Sequence, residues 1–428
     1  MEVLILVLTF IVLLGIGVPI AWSIGLSSIF TMLVSIPALP AFTTVAQRMA
    51  TGLDSFSLLA VPFFILAGQI MNRGGIARRL VDFAKTLVGA LPGGLAHVNI
   101  IAAMLFGAIA GSAVAAASAI GGFMGKAMEK EGYSKEFGAA VNIAAATTGL
   151  VIPPSNVLIV YSLASGGVSI AALFLAGYLP GILTGLFLMI VAAVWARRKG
   201  FPVGERSTLR QVLAAFVNAL PSLFLLIVVI GGIVGGIFTA TEASAVAVLY
   251  CLLLTFVYKE ISFRELPEVF LGAVGTSAIV MLLIGTSMSM SWIMAYENIP
   301  QNITELLLSI SDSKIVILLI INLILLFVGI FMDMTPAVLI FTPIFLPVVT
   351  ELGMDPTHFG IIMVLNLCIG LCTPPVGSVL FVGVGVAGTS IQKVVRPLLP
   401  LFIAMIIALL IVTYVPALSL WLPTVFGY

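Results

Sequence analysis

The chain has 428 residues, of which 61% are apolar and only 8% are charged, and its net charge is +1. A soluble domain carries about a quarter charged residues, so this chain cannot cover a folded core with polar surface. The small net charge also argues against the basic surface by which proteins bind nucleic acids.

Apolar runs long enough to cross a bilayer recur along the chain, for example at 170–196, 212–235 and 397–415. About 20 apolar residues span the hydrocarbon core of a bilayer as a helix. The sequence therefore predicts an all-α polytopic membrane protein. The N-terminal stretch MEVLILVLTFIVLL lacks the features of a signal peptide. We expect it to be retained in the first membrane segment, although residues 1–35 are long for one upright helix and tight for two.

A re-entrant hairpin is predicted at about 95–125 from the charges of the loops around it. Segments 73–85, 126–135 and 197–210 all contain Lys or Arg, and such loops favour the cytoplasm. For all three to lie on one side, the chain between the first two must enter and leave the membrane on that side. Its small residues, AGSAVAAASAIGG (110–122), are by themselves more typical of helix packing than of a site.

The sequence GLVIPPSN (149–156) interrupts an otherwise apolar segment. Proline lacks the N–H that an α-helix needs, and its ring crowds the carbonyl group four residues earlier. Pro153 and Pro154 should therefore leave nearby carbonyl groups, such as those of Gly149 and Ile152, without donors. A broken helix is tolerated in a membrane only beside protein or a water-filled cavity.

A second break, GLCTPPVG (370–377), follows 221 residues later. At the same offset, FGAIAGS (106–112) aligns with FVGIFMD (327–333). Individual matches in apolar sequence carry little weight, but paired Pro-Pro breaks at the offset of other aligned segments predict a structural duplication.

The loops of the second half have the opposite charge balance. Segment 297–314 holds three acidic residues and one lysine, and 351–358 contains no Lys or Arg, so both suit the external side. With a second hairpin at about 315–350, corresponding loops lie on opposite sides of the membrane. Such inverted repeats are the recurrent plan of secondary transporters. We therefore divide the chain into a first repeat (1–196), a cytoplasmic basic linker (197–210) and a second repeat (211–428).

Neutral oxygen atoms are concentrated at the two breaks. The first break adds Ser155 and Asn156 to its carbonyl groups, and the second offers Thr373 and the carbonyls around Pro375. Gly377 allows close approach of the backbone. These oxygens suit a small hard cation, and Na⁺ is the obvious candidate. The alternative is a pair of proline kinks without a ligand, which the duplication disfavours.

One acidic residue, Asp333, lies in the second predicted hairpin, within GIFMDMTPAVLIFTP (329–343). A charged group inside a membrane is costly and usually marks an ion or substrate pathway. With Thr335 and Pro336 following it, Asp333 is a predicted cation ligand at the hairpin tip; the alternative is a cap near the interface. Weaker candidates, which could equally lie at a helix end or bridge helices, are Glu242, Asn142 and Asn366.

The sequence gives little support for an intramembrane enzyme. Cys251, Cys368 and Cys372 lie in apolar stretches, as is typical of small buried hydrophobic residues. His97 and His358 are far apart and outside any H-E-x-x-H frame. A passive channel is also disfavoured, because broken helices with a lone acid suggest occluded sites rather than a lined pore.

Five stretches together carry a family pattern: VPFFILAGQIMNRGG (61–75), FGAIAGSAVAAASAIG (106–121), GLVIPPSN, FMDMTPAVLIFTPI (331–344) and GLCTPPVG. In this combination the chain resembles, over nearly its whole length, the large membrane subunit (DctM/SiaM type, M subunit) of tripartite ATP-independent periplasmic (TRAP) transporters. Any one of the stretches alone would be weak, whereas together they are specific.

The resemblance implies an elevator-type carrier in the bacterial inner membrane. It would take up an organic acid anion, of the C4-dicarboxylate or sialic-acid class, with Na⁺ as coupling ion, without ATP or an organic cofactor. Two partners are implied: a periplasmic solute-binding protein (P type) and a small membrane subunit (Q type). We expect the latter to be a separate chain, because no such segment precedes Met1. The alternative is a stand-alone ion-coupled carboxylate carrier that needs no binding protein.

The same resemblance implies the site residues. One Na⁺ would be held by a hairpin hydroxyl and the carbonyls of the first break, namely Ser112, Gly149, Ile152 and Pro154. The other would be held by the second hairpin and the second break, through Asp333, Thr373, Pro375 and Gly377. The residues expected to bind the anion are Ser112, Ser155, Asn156 and Thr335.

Overall fold

The computed structural model describes residues 2–201, 203–204, 206–311 and 313–428, without the side chains of Ile76, Ala77 and Ile109. Pro202 and Glu205 of the predicted linker, and Asp312 of the predicted external loop, therefore lie outside the described residues. Eight of the described helices are long and apolar enough, by length and composition, to cross a membrane. The prediction of an all-α polytopic protein is thereby confirmed.

Ten helices form the first half of the described chain, with a 3-10 turn at Phe56–Leu59. The ambiguous N-terminal stretch forms two helices, because Gly17 adopts a left-handed φ of +87° and Pro19 caps the second one. In chain order the helices are α1 (Glu2–Gly15), α2 (Ile20–Ser35), α3 (Ala38–Leu53), α4 (Ala60–Arg73), α5 (Ile76–Val88), α6 (Gly94–Ala110), α7 (Ala113–Lys130), α8 (Lys135–Thr148), α9 (Asn156–Ala164) and α10 (Ile170–Lys199).

Ten further helices form the second half of the described chain. They are α11 (Leu209–Val234), α12 (Ala240–Tyr258), α13 (Leu266–Tyr296), α14 (Ile299–Ile310), α15 (Lys314–Phe331), α16 (Met334–Glu351), α17 (Pro356–Gly370), α18 (Ser378–Ala387), α19 (Ile391–Tyr414) and α20 (Ala417–Val425). Helical hairpins are formed by α6 with α7 and by α15 with α16. Their re-entry into the membrane stays a prediction.

Helix bounds recur between the halves at the offset of 221 residues. The second hairpin arms, α7 and α16, each have 18 residues and begin at Ala113 and Met334. The first parts of the broken helices, α8 and α17, begin at Lys135 and Pro356. This recurrence is what a duplication predicts; the inversion relative to a membrane stays a prediction.

The two halves exchange packing partners at the centre of the molecule. Arm α7 packs against α18, and its counterpart α16 packs against α9. Helices α10 and α19 pack against each other and against the broken helices α8 and α17. Each half of this central set is therefore completed by helices of the other half. We call the set, α6–α10 and α15–α20, the hairpin group, because it contains both helical hairpins.

The remaining long helices form a second group outside the first. Helices α1–α4 and α11–α13 are joined mainly to one another, through pairs such as α2 with α13 and α4 with α12. We call them the peripheral group. Helix α5 contacts both α11 and α6, while α14 contacts both α13 and α16. These two shorter helices therefore bridge the two groups.

Candidate functional site

The first break, between α8 and α9, leaves carbonyl groups without backbone donors. Among the described backbone amides, none donates to the carbonyl oxygens of Gly149, Ile152 or Pro154. Gly149 lies against Gly107 of α6, where a Cβ atom built on Gly107 would lie 2.8 Å from the Cα atom of Gly149. The hairpin arm therefore lies directly against the break, and the three predicted carbonyl ligands can accept a bond from a ligand.

The second break, between α17 and α18, brings carbonyl groups together. A Cβ atom built on Gly377 would lie 2.6 Å from the carbonyl oxygen of Leu371 and 3.0 Å from that of Thr373. Only glycine permits these two oxygens to approach the chain so closely. The hydroxyl of Thr373 donates to the carbonyl of Ile369 at 2.7 Å, which leaves its oxygen lone pairs available to accept.

A glycine contact like that of the first half lies beside the second break. A Cβ atom built on Gly370 would lie 2.5 Å from the Cα atom of Gly329 in the first arm of the second hairpin. In both halves, therefore, the first hairpin arm and the end of the broken helix meet backbone to backbone.

A cavity of about 500 Å³ lies between the two hairpin tips. Ser112 lines it from the first tip, and Asp333 and Thr335 line it from the second. Asn156 lines it from the first break and Leu371 from the second. Four residues that the sequence predicts for the site, far apart along the chain, thus face one space, which we call the tip cavity.

Both tips present the N-terminus of a helix to the tip cavity. The hydroxyl of Ser112 accepts a hydrogen bond from the backbone N–H of Ala115, at 3.2 Å, and so caps α7. Asp333 is the N-cap residue of α16 and is exposed to the cavity. Asp333 thus occupies the cap position, but its side chain makes no capping hydrogen bond, so its carboxylate is available to a ligand in the cavity. Its alternative role as a cap near the interface stays a prediction. Helix N-termini carry a partial positive charge and suit an anion.

Of the four residues predicted to bind the anion, Ser155 is the one that lies away from the cavity lining. The predicted Na⁺ ligands outside the lining are Gly149, Ile152, Pro154, Thr373, Pro375 and Gly377. Ser155 is fully buried at the start of α9. Among the described side chains, buried oxygens without a hydrogen-bond partner include Ser155 Oγ, Asn156 Oδ1 and Ser378 Oγ, all beside the two breaks. An unpartnered buried polar group costs about 1–3 kcal/mol. Neutral oxygens of this kind, together with unwound carbonyls, fit Na⁺.

Further polar residues of the tip cavity were missed by sequence reasoning. Gln69 and Asn72 of α4, Ser118 of α7 and Thr276 of α13 also line it. Two amides three positions apart lie on one face of a helix, which is a readable signal in the apolar segment 61–75. Thr276 stands in a small-residue stretch of α13 that offers no comparable signal.

The three weaker candidates have structural partners instead. Glu242 completes a capping box on α12, where its carboxylate accepts from the backbone N–H of Thr239 at 2.8 Å. Asn142 Nδ2 donates to the carbonyl of Ala117 at 2.7 Å. Asn366 Nδ2 donates to the carbonyl of Asn322 at 2.9 Å. Glu242 therefore stabilises a helix end, and the two asparagines bridge neighbouring helices.

Comparison with known proteins places this arrangement in a family. The family described as "Tripartite ATP-independent periplasmic transporter, DctM component" matches residues 7–418. The chain is 60% identical over 426 residues to the uncharacterized protein YgiK of Salmonella typhimurium, covering 100% of this chain and 98% of that protein. It is 39% identical over 441 residues to the C4-dicarboxylate TRAP transporter large permease protein DctM of Rhodobacter capsulatus, covering 100% of both.

Two further similarities concern a longer relative and the fold. The chain is 44% identical over 414 residues to the isethionate TRAP transporter permease protein DctMQ of Oleidesulfovibrio alaskensis, covering 96% of this chain and 65% of that protein. The crystal structure of the Alcanivorax borkumensis YdaH transporter has a similar fold. Its TM-score is 0.66 at 13% identity, over 90% of this chain and 89% of that one. The chain belongs to the DctM family of TRAP transporter large permeases, a family of transporters rather than enzymes, and is a multi-pass protein of the inner membrane.

Proposed function

We propose that the protein carries out Na⁺-coupled uptake of an organic acid anion, of the C4-dicarboxylate or sialic-acid class, across the bacterial inner membrane. The observation that carries the proposal is the tip cavity, where Asp333 and two helix N-termini face one space beside the broken helices. Membership of a permease family supports transport. The organic acids for which its relatives are named, a C4-dicarboxylate and isethionate, support an organic anion.

The charges of the tip cavity suggest how an ion and an anion would be coupled. Without a cation, the carboxylate of Asp333 repels an anionic substrate, and like charges repel strongly in a low-dielectric site. A Na⁺ ion held by Asp333, Thr373 and the carbonyls near Gly377 cancels that charge. A second Na⁺ at Ser112 and the carbonyls of the first break adds positive charge. The anion is then attracted to the helix N-termini at the tips.

The substrate would be held by the neutral polar groups that remain. Ser112 and Thr335 lie at the two tips, and Asn156 lies at the start of α9. Gln69 adds an amide from the peripheral group. Hydrogen-bond donors from both groups would then contact one anion, so binding depends on how the hairpin group sits against the peripheral group.

Alternating access would follow from movement of the hairpin group against the peripheral group, as in an elevator. The packing of the peripheral helices mainly on one another supports this division, and α5 and α14 connect the two groups. The recurrence of helix bounds and the exchanged packing support two repeats of opposite orientation, which is a common plan of such carriers.

Large permeases of this family work with a small membrane subunit and a binding protein. The relative named DctMQ joins a large and a small permease part in one name. We propose that here the small subunit is a separate chain and that a periplasmic binding protein delivers the anion. Co-purification of a small helical subunit with the tagged large subunit tests the first point.

Reconstituted uptake tests the whole proposal. The purified chain, a small subunit and a periplasmic binding protein are placed in and around proteoliposomes, and entry of labelled succinate or N-acetylneuraminate is followed. We expect entry only with an inward Na⁺ gradient and with the binding protein. Undiminished entry after replacing Na⁺ with choline, without another ion gradient, would overturn the coupling. Equal entry without the binding protein would favour the stand-alone carrier.

A further inference from the structure

A second cavity, of about 390 Å³, lies between α3, α9 and α13. Its polar lining comprises Arg48, Thr51, Ser55 and Ser291, and Trp292 forms part of its wall. Arg48 is the charged member of this lining among the described residues. We call it the Arg48 cavity. The transport chemistry proposed for the tip cavity makes no use of it.

Arg48 is held in place by an aromatic ring rather than by an acid. Its guanidinium carbon lies 5.6 Å from the centroid of the Trp292 ring, within the range of a cation–π contact. The Trp292 ring in turn stacks on Tyr296 at 5.2 Å. Within the described part of the chain, no carboxylate pairs with Arg48 at 4.0 Å or less. Arg48 lines the cavity and is exposed, so its hydrogen-bond donors are accessible to a ligand there.

The wall that carries Arg48 is rigid. Helices α3 and α13 are joined by a hydrogen bond from Ser289 Oγ to the carbonyl of Val45, at 3.2 Å. Gly52 packs so closely on Met288 that a Cβ atom at this position would overlap the methionine side chain. Since Arg48 and Trp292 are attached to these two helices, their backbone positions are held relative to each other.

The Arg48 cavity adjoins the tip cavity along shared walls. On α9, Val160 lines the tip cavity and Leu163 lines the Arg48 cavity. On α13, the corresponding residues are Val280 and Met288. At 1.5 Å per residue, these pairs are separated by about 5 Å and about 12 Å along their helices. The two cavities therefore lie next to each other along α9 and α13, and the Arg48 cavity lies toward the predicted external loop 297–314. We call the space along these two helices that contains both cavities the cleft.

We propose that the Arg48 cavity is a binding subsite for the carboxylate or sulfonate group of the organic anion at the outer end of this cleft. A guanidinium presents paired N–H groups that match a carboxylate in a bidentate arrangement. The hydroxyls of Ser55 and Ser291 can donate to its remaining oxygens, whereas that of Thr51 already donates to the carbonyl of Gln47 at 2.9 Å. From here the anion passes about two helical turns inward to the hairpin tips.

The subsite differs from the tip cavity in its relation to Na⁺. Its described lining contains no carboxylate and none of the carbonyl groups freed at the breaks. Binding there is therefore independent of Na⁺ and of Asp333. The inference rests on the proposed function only for the class of substrate, since anion binding at Arg48 can be measured without transport.

Fluorescence of Trp292 provides a direct test. The three other tryptophans, Trp22, Trp195 and Trp421, are replaced by Phe in the full chain purified with its small subunit, and succinate is titrated in Na⁺-free choline buffer at constant ionic strength. We expect a saturable change that uncharged succinamide does not produce. Arg48→Gln should weaken the apparent affinity about tenfold or more, as expected for loss of a charged hydrogen-bonded pair. Arg48→Lys should weaken the affinity less, because lysine keeps the positive charge but lacks the paired N–H groups of the guanidinium.

Protection from labelling provides a second readout that does not depend on a tryptophan background. Thr51→Cys places a thiol in the Arg48 cavity, whereas the native cysteines are buried. Succinate should slow maleimide labelling of this thiol in Na⁺-free buffer. The protection should persist with Asp333→Asn and disappear with Arg48→Gln.

Several results would overturn the subsite. The first is that succinate gives neither a saturable fluorescence change nor protection of the Thr51→Cys thiol. The second is a fluorescence change with succinamide equal to that with succinate. The third is a succinate affinity in Arg48→Gln equal to that of the protein with Arg48. Protection by phosphatidylglycerol vesicles but not by succinate would assign the cavity to lipid headgroups instead. Failure of the proposed function can be distinguished from failure of the subsite. If succinate binds at Arg48 but uptake ignores Na⁺, the coupling is wrong and the subsite stands; if uptake is Na⁺-coupled with an unchanged KM in Arg48→Gln, the subsite is wrong.

Discussion

The thiol of Cys368 donates to the carbonyl oxygen of Thr147 at 3.1 Å, and the two residues are 221 positions apart. Because helix bounds recur at this offset, the bond joins corresponding positions of the two halves. Each residue stands two positions before a glycine that opens a Pro-Pro break. Helices α8 and α17 therefore meet between the two breaks, and displacement of one affects the other.

The first prediction concerns this central contact. Cys368→Leu should force α8 and α17 apart, since Cys368 is fully buried and overpacking a core typically costs about 1–3 kcal/mol. We expect a lower melting temperature and a weaker stabilisation by Na⁺, measured by thermal unfolding of the purified complex with and without Na⁺. Cys251→Leu is the matched control, because Cys251 is equally buried but lies in α12 of the peripheral group. The same loss of Na⁺ stabilisation in both variants would contradict the prediction.

The second prediction concerns the carbonyl groups that converge on Gly377. Gly377→Ala would place a methyl group 2.6 Å from the Leu371 oxygen and 3.0 Å from the Thr373 oxygen, so these oxygens must move. We expect a weaker apparent affinity for Na⁺, by about tenfold if the displacement costs about 1.4 kcal/mol, measured as the Na⁺ dependence of uptake. Gly385→Ala, in the same helix region but with open space around it, should retain the native Na⁺ dependence. A normal Na⁺ affinity in Gly377→Ala would count against these carbonyls as ligands.

The third prediction separates the two acidic candidates of the apolar sequence. Asp333→Asn should reduce uptake and Na⁺ affinity more than it reduces thermal stability, because Asp333 faces the tip cavity. Glu242→Ala should do the reverse, since it removes the carboxylate that accepts from the Thr239 N–H, loss of a helix cap costs about 1 kcal/mol, and Glu242 lies outside the lining of that cavity. Both variants are assayed for uptake against Na⁺ concentration and for melting temperature. Equal Na⁺ affinity in native protein and Asp333→Asn would remove Asp333 from the ion site.

The fourth prediction concerns an amide that sequence reasoning missed. Gln69→Leu removes hydrogen-bonding capacity from the tip cavity while keeping a side chain of similar size. We expect the KM for the organic anion to rise about tenfold, as for loss of a hydrogen bond to a charged group, with little change in Na⁺ affinity. Gln301→Leu, at an exposed position of α14, serves as the control. An unchanged KM in Gln69→Leu would place the anion elsewhere in the cavity.

Features that depend on local chemistry could be predicted from the sequence. Pro-Pro pairs remove two successive donors wherever they occur, so the positions of the breaks could be read directly. The place of Asp333 at a turn followed from the cost of a charge among apolar residues. Thr239 and Glu242 are three positions apart and form a Thr-x-x-Glu pattern, which is the sequence signature of a capping box. That pattern argues for a structural role of Glu242 at a helix end.

The parts that could not be predicted depend on which way a helix faces. In segments that are apolar all round, periodicity does not distinguish the cavity face from the lipid face. Thr276 and Ser118 therefore gave no sign that they line the tip cavity. Ser155 and Asn156 are adjacent in sequence, yet the turn at the start of α9 buries the first and directs the second into the cavity. The partners of Asn142 and Asn366 are backbone carbonyls of other helices, which tertiary packing alone decides.

The exchanged packing of α7 with α18 and of α9 with α16 has a consequence for biosynthesis. When the first half has left the ribosome, the surfaces of α7 and α9 that these partners cover have nothing of their own chain to pack against. In the nascent first half these surfaces of α7 and α9 therefore stay uncovered until α16 and α18 are inserted. A first half synthesised alone would leave these surfaces uncovered, whereas a separately translated second half in the same membrane would supply the helices that cover them.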